Sequence, residues 1–173
     1  MEAYAIRRLT SVTDGEVAGL AAVLMDCVSG GASVGFLDPL PAGRAEAFWR
    51  GVADGVAARR RALLVAQDRE GIAGTVQLGL GLPENQPHRA DLVKMLVHRR
   101  ARRRGLGTAL LDAAERTARE EGRSLLVLDA VTGGDGERLY ASRGWHRVGV
   151  VPDYALMPDG SLCSTTFFYR VLE

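Results

Sequence analysis

The sequence has few of the features that mark metal-binding or nucleic-acid-binding proteins. Among its 173 residues are two cysteines and three histidines, and the formal net charge is only +1. The histidines (His88, His98 and His146) are too scattered to suggest a metal-ligand cluster. A nearly neutral chain also does not predict a general surface for polyanions. We therefore expect no metal and no nucleic-acid partner.

Long apolar runs are also missing. No stretch approaches the ~18 apolar residues of a membrane-spanning helix. Glu2, Arg7 and Arg8 interrupt any apolar segment near the start, so nothing there resembles a signal peptide. We therefore expect no membrane association and a cytoplasmic location, where Cys27 and Cys163 stay reduced. The length and the ordinary composition, with 47% hydrophobic residues, predict one domain over residues 1–173.

The most distinctive segment is residues 98–111, where a run of arginines leads into Gly105 and Gly107 and then into an apolar helical repeat. Because these glycines have no side chains, an anion can lie directly against backbone N–H groups at the start of the helix. The helix dipole and the arginines add positive charge there. Residues 90–97 are typical of a strand, so the order is strand, basic glycine loop, helix, which favours a phosphate ligand.

Other interpretations of residues 98–111 fit the sequence less well. A dinucleotide-binding fingerprint requires Gly or Ala where Leu110 stands, and its glycines directly follow the strand. A nucleotide-hydrolase phosphate loop requires Gly-Lys-Ser/Thr, which the segment lacks. A nucleic-acid patch does not suit the net charge. A loop with a purely structural role stays open.

The remaining elements follow from hydrophobic periodicity, glycines and prolines. Strands are predicted over residues 4–9, 62–68, 72–82, 90–97, 124–130, 145–151 and 165–172, and residues 152–164 are predicted to be a polar connection. Helices are predicted from about residue 14 to 30, 41 to 60, 105 to 121 and 136 to 143. The predicted order is β-α-α-β-β-β-α-β-α-β-β.

Two blocks of this sequence resemble the GNAT superfamily of N-acetyltransferases. Arg102-x-x-Gly105-x-Gly107 is similar to the loop that binds the pyrophosphate of acyl-CoA. Downstream, Leu139-Tyr140 followed by Gly144-Trp145 resembles a second signature of the superfamily. The resemblance implies an α/β fold (α+β) with a central mixed, twisted sheet of about seven strands and helices on both faces.

The resemblance also implies acetyl-CoA as cosubstrate and places its binding residues. The end of one strand would run along the pantetheine arm and supply N–H groups for the oxyanion, and the glycine loop would hold the phosphates, with arginine side chains nearby. The cofactor-binding residues so expected are Met95, Leu96, Val97, Arg102, Arg103, Arg104, Gly105, Leu106, Gly107 and Thr108.

Three residues are candidates for catalysis. The resemblance implies that Tyr140 is the general acid, since it stands where the superfamily has its catalytic tyrosine. A phenol suits this role because, with a pKa of about 10, it is protonated at neutral pH. Asp91 and Asp129 are candidate bases for the amine, acting directly or through a water, although each also suits a structural role at a strand end. Alternation places Asp91 on the same strand face as Met95 and Val97.

Within the superfamily, the chain looks like the tabtoxin-resistance type of acetyltransferase. The likeness is carried by the glycine-rich segment 30–36, by Arg89-Ala90-Asp91 with Lys94-Met95, and by the segment 152–160. Ser33, Phe36 and Tyr154 are the expected substrate-binding residues. The implied substrate is the primary amine of a small molecule, an amino-acid-like toxin or antibiotic. Gly133 departs from the family, which has Asn there, so a loose start of the following helix is expected.

Alternative functions remain beside this one. A protein or peptide N-terminal acetyltransferase would need an open groove for a peptide, which segments 30–41 and 152–164 would tend to obstruct. A non-catalytic acyl-CoA-binding module would need neither Tyr140 nor the complete glycine loop. The oligomeric state, monomer or homodimer, is left open.

Overall fold

The apolar runs of the sequence form seven strands of one sheet in the computed structural model, which describes residues 4–173. The strands are β1 (Ala5–Leu9), β2 (Arg61–Asp68), β3 (Gly71–Gly79), β4 (Arg89–Val97), β5 (Leu125–Val131), β6 (His146–Leu156) and β7 (Leu162–Val171). The helices are α1 (Asp14–Ser29), α2 (Ala42–Ala57), α3 (Leu106–Glu120) and α4 (Asp135–Ser142). A 3-10 turn over Arg99–Ala101 precedes α3 and was not predicted.

The sheet is mixed, with the strand order β1-β2-β3-β4-β5-β7-β6. All neighbouring strands are antiparallel except β4 and β5, which are parallel and are connected through α3. A parallel pair needs such a crossover, and it places α3 against one face of the sheet. The predicted fold, with its order of elements and its helices on both faces, is confirmed.

Two hydrophobic clusters cover the two faces. Leu63 and Val65 of β2 point toward α1 and α2, where Trp49 is fully buried. Leu64 and Ala66, which alternate with them, point toward α3 and α4. Successive side chains of a strand lie on opposite faces, so the continuous apolar run of β2 is buried on both sides.

The parallel pair at the centre of the sheet is short. β4 and β5 pair only over Arg89–Asp91 and Leu125–Val127. Beyond these residues β4 continues to Val97 and β5 to Val131 without pairing with each other. The two strands therefore diverge toward their carboxyl ends and leave a gap at the sheet edge where α3 and α4 begin.

The prediction of a polar connection over residues 152–164 is wrong. Strand β6 continues to Leu156 and β7 already begins at Leu162, so the connection is a short hairpin turn. Sequence reasoning failed here because Pro152 normally argues against a strand. Pro152 lies within a bulge, between the pairings of Val151 and Ala155, on an edge strand, and a proline is tolerated in such a place.

Over residues 4–173, no helix has the length and apolar character required to span a bilayer.

Candidate active site

A bulge in β4 shapes the strand that borders the gap. Gln77 of β3 pairs with Val93, and Thr75 pairs with Leu96, so β4 has one residue more than β3 over this stretch. Lys94 lies in the bulge with a φ of +52°, a conformation that non-glycine residues rarely adopt. A bulge of this kind shifts the alternation of side chains by one residue.

This shift corrects the predicted facing of Asp91. Asp91 and Leu96 lie on the side of α1 and α2, whereas Met95 and Val97 pack against the cluster on the opposite side. The expectation that Asp91 shares a face with Met95 and Val97 is therefore wrong. The alternation of side chains along a strand does not predict this facing, because it takes no account of the extra residue in the bulge.

The start of α3 offers unpaired backbone donors beside the gap. Gly105, with a φ of +79°, precedes the helix and provides no side-chain cap. Within residues 4–173, no backbone acceptor pairs with the N–H groups of Leu106, Gly107 or Thr108. Such N–H groups, together with the helix dipole, form an anion site.

The three arginines of the loop have different surroundings. The Nε of Arg102 donates a hydrogen bond to the carbonyl of Val97 (3.0 Å), and its Nη2 lies 3.8 Å from the Sγ of Cys27. The side chain of Arg102 therefore points back to the end of β4 and to α1, and it fixes the loop there. Arg103 and Arg104 are exposed.

Helix α4 closes the other side of the loop. A Cβ on Gly107 would lie 3.4 Å from the Cδ2 of Leu139, so α3 and α4 approach each other closely at this glycine. At the start of α4, Arg138 holds the pKa of Asp135 below its ordinary value, with smaller effects from Arg103 and Arg102. The basic loop and the start of α4 are thus neighbours.

The start of α4 is not loose, contrary to the expectation from Gly133. The carboxylate of Glu137 accepts a hydrogen bond from the Gly133 N–H and another from the Thr166 hydroxyl (2.9 Å). The Nη1 of Arg138 donates to the Gly133 carbonyl at 2.8 Å. Two side chains from the first turn of α4 therefore hold the segment that lacks the family's Asn.

Tyr140 lies in α4 and is only 5% exposed. Its ring packs against Trp145 and Phe168, with ring centroids 5.6 Å and 6.1 Å away. Burial, and then the negative charge of Asp129, raise the pKa of the Tyr140 phenol well above its ordinary value. The phenol therefore stays protonated across the neutral range and has a proton to donate there.

Asp129 and Asp91 have different surroundings. Asp129 is exposed on β5, beyond the residues that pair with β4. Its Oδ2 accepts a hydrogen bond from the hydroxyl of Thr165 (3.4 Å). Asp91 lies at the last paired position of β4 and forms an ion pair with Arg89. The structure thus brings Asp129, but not Asp91, into the electrostatic neighbourhood of Tyr140.

Asp91 borders a cavity of about 450 Å³ between α2 and strands β3 and β4. Gly51 and Gly55 of α2, Arg61 of β2 and Val93 of β4 are among the residues that line it. The cavity lies on the face of the sheet that also carries Asp129.

The segment before α2 is joined to the β6–β7 hairpin. The Ser33 hydroxyl donates to the Leu156 carbonyl (2.7 Å), and the Asp38 N–H donates to the Pro158 carbonyl (3.0 Å). The hydroxyl of Ser33 thus joins two segments of the chain. Tyr154, half-exposed on β6, packs edge-on against Phe167, with centroids 5.7 Å apart.

Phe36 and Phe48 form the aromatic part of this region. Their rings meet edge-on with centroids 5.3 Å apart. The ammonium of Lys94 lies 5.7 Å from the centroid of Phe48. Lys94 is one of the residues that carry the likeness to the tabtoxin-resistance type, but it is not among the expected site residues. Its signal in the sequence is a single lysine between the apolar residues Val93 and Met95.

Within residues 4–173, no group of three or more His, Cys, Asp or Glu side chains is placed to hold a metal ion.

Comparison with solved structures places the chain among acetyltransferases of low sequence identity. A ribosomal-protein-alanine N-acetyltransferase from Brucella melitensis superposes with a TM-score of 0.78 at 22% identity, over 97% of this chain and 99% of that one. A candidate acetyltransferase from Salmonella typhimurium, solved with acetyl-CoA, gives a TM-score of 0.78 at 18% identity over 99% and 95%. A candidate phosphinothricin N-acetyltransferase gives 0.80 at 19% identity over 99% of each chain. These likenesses show the fold.

The sequence itself shows the family. Residues 36–145, which include the gap between β4 and β5, the glycine loop and Tyr140, match the model of the acetyltransferase (GNAT) family. The chain belongs to the GNAT family and is an acetyltransferase that uses acetyl-CoA.

Proposed function

We propose that this protein, as a single domain, transfers an acetyl group from acetyl-CoA to the primary amine of a small molecule. The amine belongs to an amino-acid-like toxin or antibiotic, as in the tabtoxin-resistance type of acetyltransferase. The observation that carries the proposal is the joining of the segment before α2 to the β6–β7 hairpin, through Ser33 and Asp38.

The gap between β4 and β5 suits an extended acyl carrier. β4 has no partner on this side after Asp91, so its backbone can pair with the pantetheine arm in the manner of an added strand. Met95, Leu96 and Val97 then lie along the arm, and N–H groups at this end of β4 stabilise the oxyanion.

The phosphates belong at the start of α3. The N–H groups of Leu106, Gly107 and Thr108 have no backbone acceptor among the described residues, and Gly105 leaves them uncovered. Arg103 and Arg104 add positive charge from exposed positions. Arg102 contributes by holding the loop against Val97.

The proposed reaction is direct transfer in a ternary complex. Asp129, through a water, accepts the proton of the amine, whose nitrogen then attacks the thioester carbonyl. As the carbon–sulfur bond breaks, Tyr140 gives its proton to the departing sulfur, and the second proton that the attacking nitrogen loses returns through water to the Tyr140 oxygen. The raised pKa of Tyr140 keeps the phenol protonated at neutral pH before the transfer. Asp91 has a smaller role because Arg89 already neutralises it.

The choice of a small molecule over a peptide as substrate is supported by two hydrogen bonds that close off the region where the acceptor would bind. A peptide chain needs a groove that is open at both ends, whereas the hydrogen bonds of Ser33 and Asp38 connect the segment before α2 to the β6–β7 hairpin. We call the region between these two segments the acceptor side. Phe36 and Tyr154 lie on these two segments and are the proposed contacts for the substrate.

The test is a comparison of acceptors with the full-length protein. Release of free thiol from acetyl-CoA is followed with a panel of amino acids and amine antibiotics, and in parallel with peptides that have free N-termini. Acetylation of small amines with at least 10-fold higher kcat/KM than any peptide supports the proposal. Acetylation of peptides alone would establish an N-terminal acetyltransferase instead, and binding of acetyl-CoA without turnover on any acceptor would indicate a binding module.

A further inference from the structure

We infer that Lys94 binds a carboxylate of the acceptor, so that the substrate is an amine that also carries a carboxylate. The inference rests on the proposed function and assigns the substrate-recognising cation within the same site. Four features carry it: the conformation of Lys94, the lack of a partner for its ammonium, the charges around it, and its place beside the acceptor side.

The conformation of Lys94 directs its side chain to the acceptor side. The bulge of β4 holds Lys94 at a φ of +52°, which costs free energy for a residue with a Cβ. The ammonium lies 5.7 Å from the centroid of Phe48 in α2. A Cβ on Gly35 would be 3.7 Å from the same nitrogen, so the ammonium lies under the segment between α1 and α2.

The ammonium has no hydrogen-bond acceptor or ion-pair partner within the described residues. Such a group is unusual, because a half-buried ammonium normally finds oxygen atoms for its three N–H bonds. Burial lowers the pKa of Lys94, Asp129 opposes this effect, and Arg61 adds to it. The aromatic face of Phe48 compensates only part of the lost hydration.

The charges around Lys94 favour an anionic ligand group. Arg61 is the other cation that acts on it, and its Nη1 already donates to the Oε1 of Gln77 (3.0 Å). A second ammonium placed here would be repelled by both residues. Asp129 is the anion that acts on Lys94, so the two cations Lys94 and Arg61 leave one positive charge in excess. A substrate carboxylate would balance that charge and would supply oxygen atoms to the Lys94 ammonium.

The same geometry places the amine of the substrate. Asp129 acts electrostatically on both Lys94 and Tyr140, so it is near the proposed carboxylate site and also near the proposed proton donor. A molecule with its carboxylate at Lys94 can therefore present its ammonium group to Asp129. This arrangement fits a zwitterionic amino acid, and it does not fit a diamine.

The experiment compares Lys94→Met with the wild type on matched acceptors. Each amino acid of the panel is tested beside its primary amide and its decarboxylated amine, with acetyl-CoA saturating. We expect the wild type to prefer the acids, and we expect Lys94→Met to lower kcat/KM for the acids by roughly 10- to 100-fold, the range of a lost charged hydrogen bond. The amides and amines should change by less than about threefold, within the scatter of a neutral contact.

Two further variants sharpen the comparison. Lys94→Arg keeps the charge and should retain part of the preference for acids. Arg50→Met removes an exposed arginine of α2 that pairs with Asp14, and it should leave the preference intact. Equal losses on acids, amides and amines in Lys94→Met would mean that Lys94 only supports the bulge, and would overturn the inference.

The outcomes also separate this inference from the proposed function. Acetylation of small amines with no preference for a carboxylate in the wild type overturns the role of Lys94 and leaves the proposed function standing. Acetylation of peptide N-termini without any small amine overturns both.

Discussion

The carboxylate of Asp129 acts on the phenol of Tyr140, and its negative charge adds to burial in raising the pKa of that phenol. By strand alternation Asp129 lies on the face opposite to Leu128, which belongs to the cluster that packs Tyr140. The proposed base and the proposed acid therefore approach the divergence of β4 and β5 from opposite faces of the sheet. Asp129 can then accept a proton from the acceptor amine on one face while Tyr140 donates a proton to the departing sulfur on the other.

We expect Tyr140→Phe to lower kcat by roughly 100-fold, which is typical for the loss of an acid–base group. The ring keeps its contacts with Trp145 and Phe168, so the fold and the affinity for acetyl-CoA should be nearly unchanged. Steady-state kinetics and calorimetric titration with acetyl-CoA check both parts. A kcat equal to that of the wild type would reduce Tyr140 to a packing residue.

The pH dependence follows from the direction of the pKa shift. An ordinary phenol loses its proton near pH 10, but burial keeps Tyr140 protonated above that value. We therefore expect no alkaline fall in kcat from this group up to about pH 10. Ultraviolet titration of phenolate in wild type and Tyr140→Phe measures the shift directly. A group that ionises below pH 10 and is missing in Tyr140→Phe would contradict it.

Charge removal should distinguish the two aspartates. Asp129→Asn removes the carboxylate that faces the site, and we expect kcat/KM at pH 7 to fall by roughly 100-fold. The loss should shrink as the pH approaches the pKa of the amine, because the amine then needs no base. Asp91→Asn is the matched control, and it should change kcat/KM by less than about threefold, since Arg89 already pairs with that carboxylate. A larger loss of kcat/KM in Asp91→Asn than in Asp129→Asn would show that Asp91, and not Asp129, is the base.

The sequence was sufficient to predict the fold, because the periodicity of β2, the glycines around α3 and the order of elements are local signals. The order of strand, glycine loop and helix beside the gap was also predictable, since Gly105 and Gly107 are local signals. The sequence could not predict that Pro152 would be accommodated in an edge-strand bulge. Alternation also could not reveal the bulge at Lys94, which depends on the pairing of β4 with β3.

The role of Arg102 shows a second limit. Its position in a basic loop suggested a phosphate contact, but its Nε donates to the Val97 carbonyl. Nothing in a run of similar arginines indicates which one turns back to the protein, because that choice depends on the carbonyl left free at the end of β4. The unpartnered ammonium of Lys94 is likewise a property of the assembled site.

The start of α3 can be tested with a small side chain. Gly107→Ala adds a Cβ at an ordinary contact distance of 3.4 Å from Leu139, so the folded structure tolerates it better than Gly107→Val. A methyl group over the N–H groups should still lower the affinity for acetyl-CoA by roughly 10-fold, through the weakened charged hydrogen bonds. Gly43→Ala, on the exposed first turn of α2 with open space around it, is the control. Calorimetry showing equal affinities in both variants would place the phosphates elsewhere.

The acceptor side is tested by Phe36→Ala. The ring of Phe36 meets Phe48 edge-on at 5.3 Å, and Phe48 lies beneath the ammonium of Lys94, so Phe36 is the outer part of the aromatic wall. Its removal should raise the KM for the amine by roughly 10-fold, through lost apolar contact, with little effect on the affinity for acetyl-CoA, which binds on the other side of the transfer point. Leu37→Ala removes a neighbouring apolar side chain that is 47% exposed, and it should leave both constants unchanged. Equal losses of affinity for amine and acetyl-CoA in Phe36→Ala, together with a lowered melting temperature, would show that Phe36 stabilises the fold and does not form the acceptor wall.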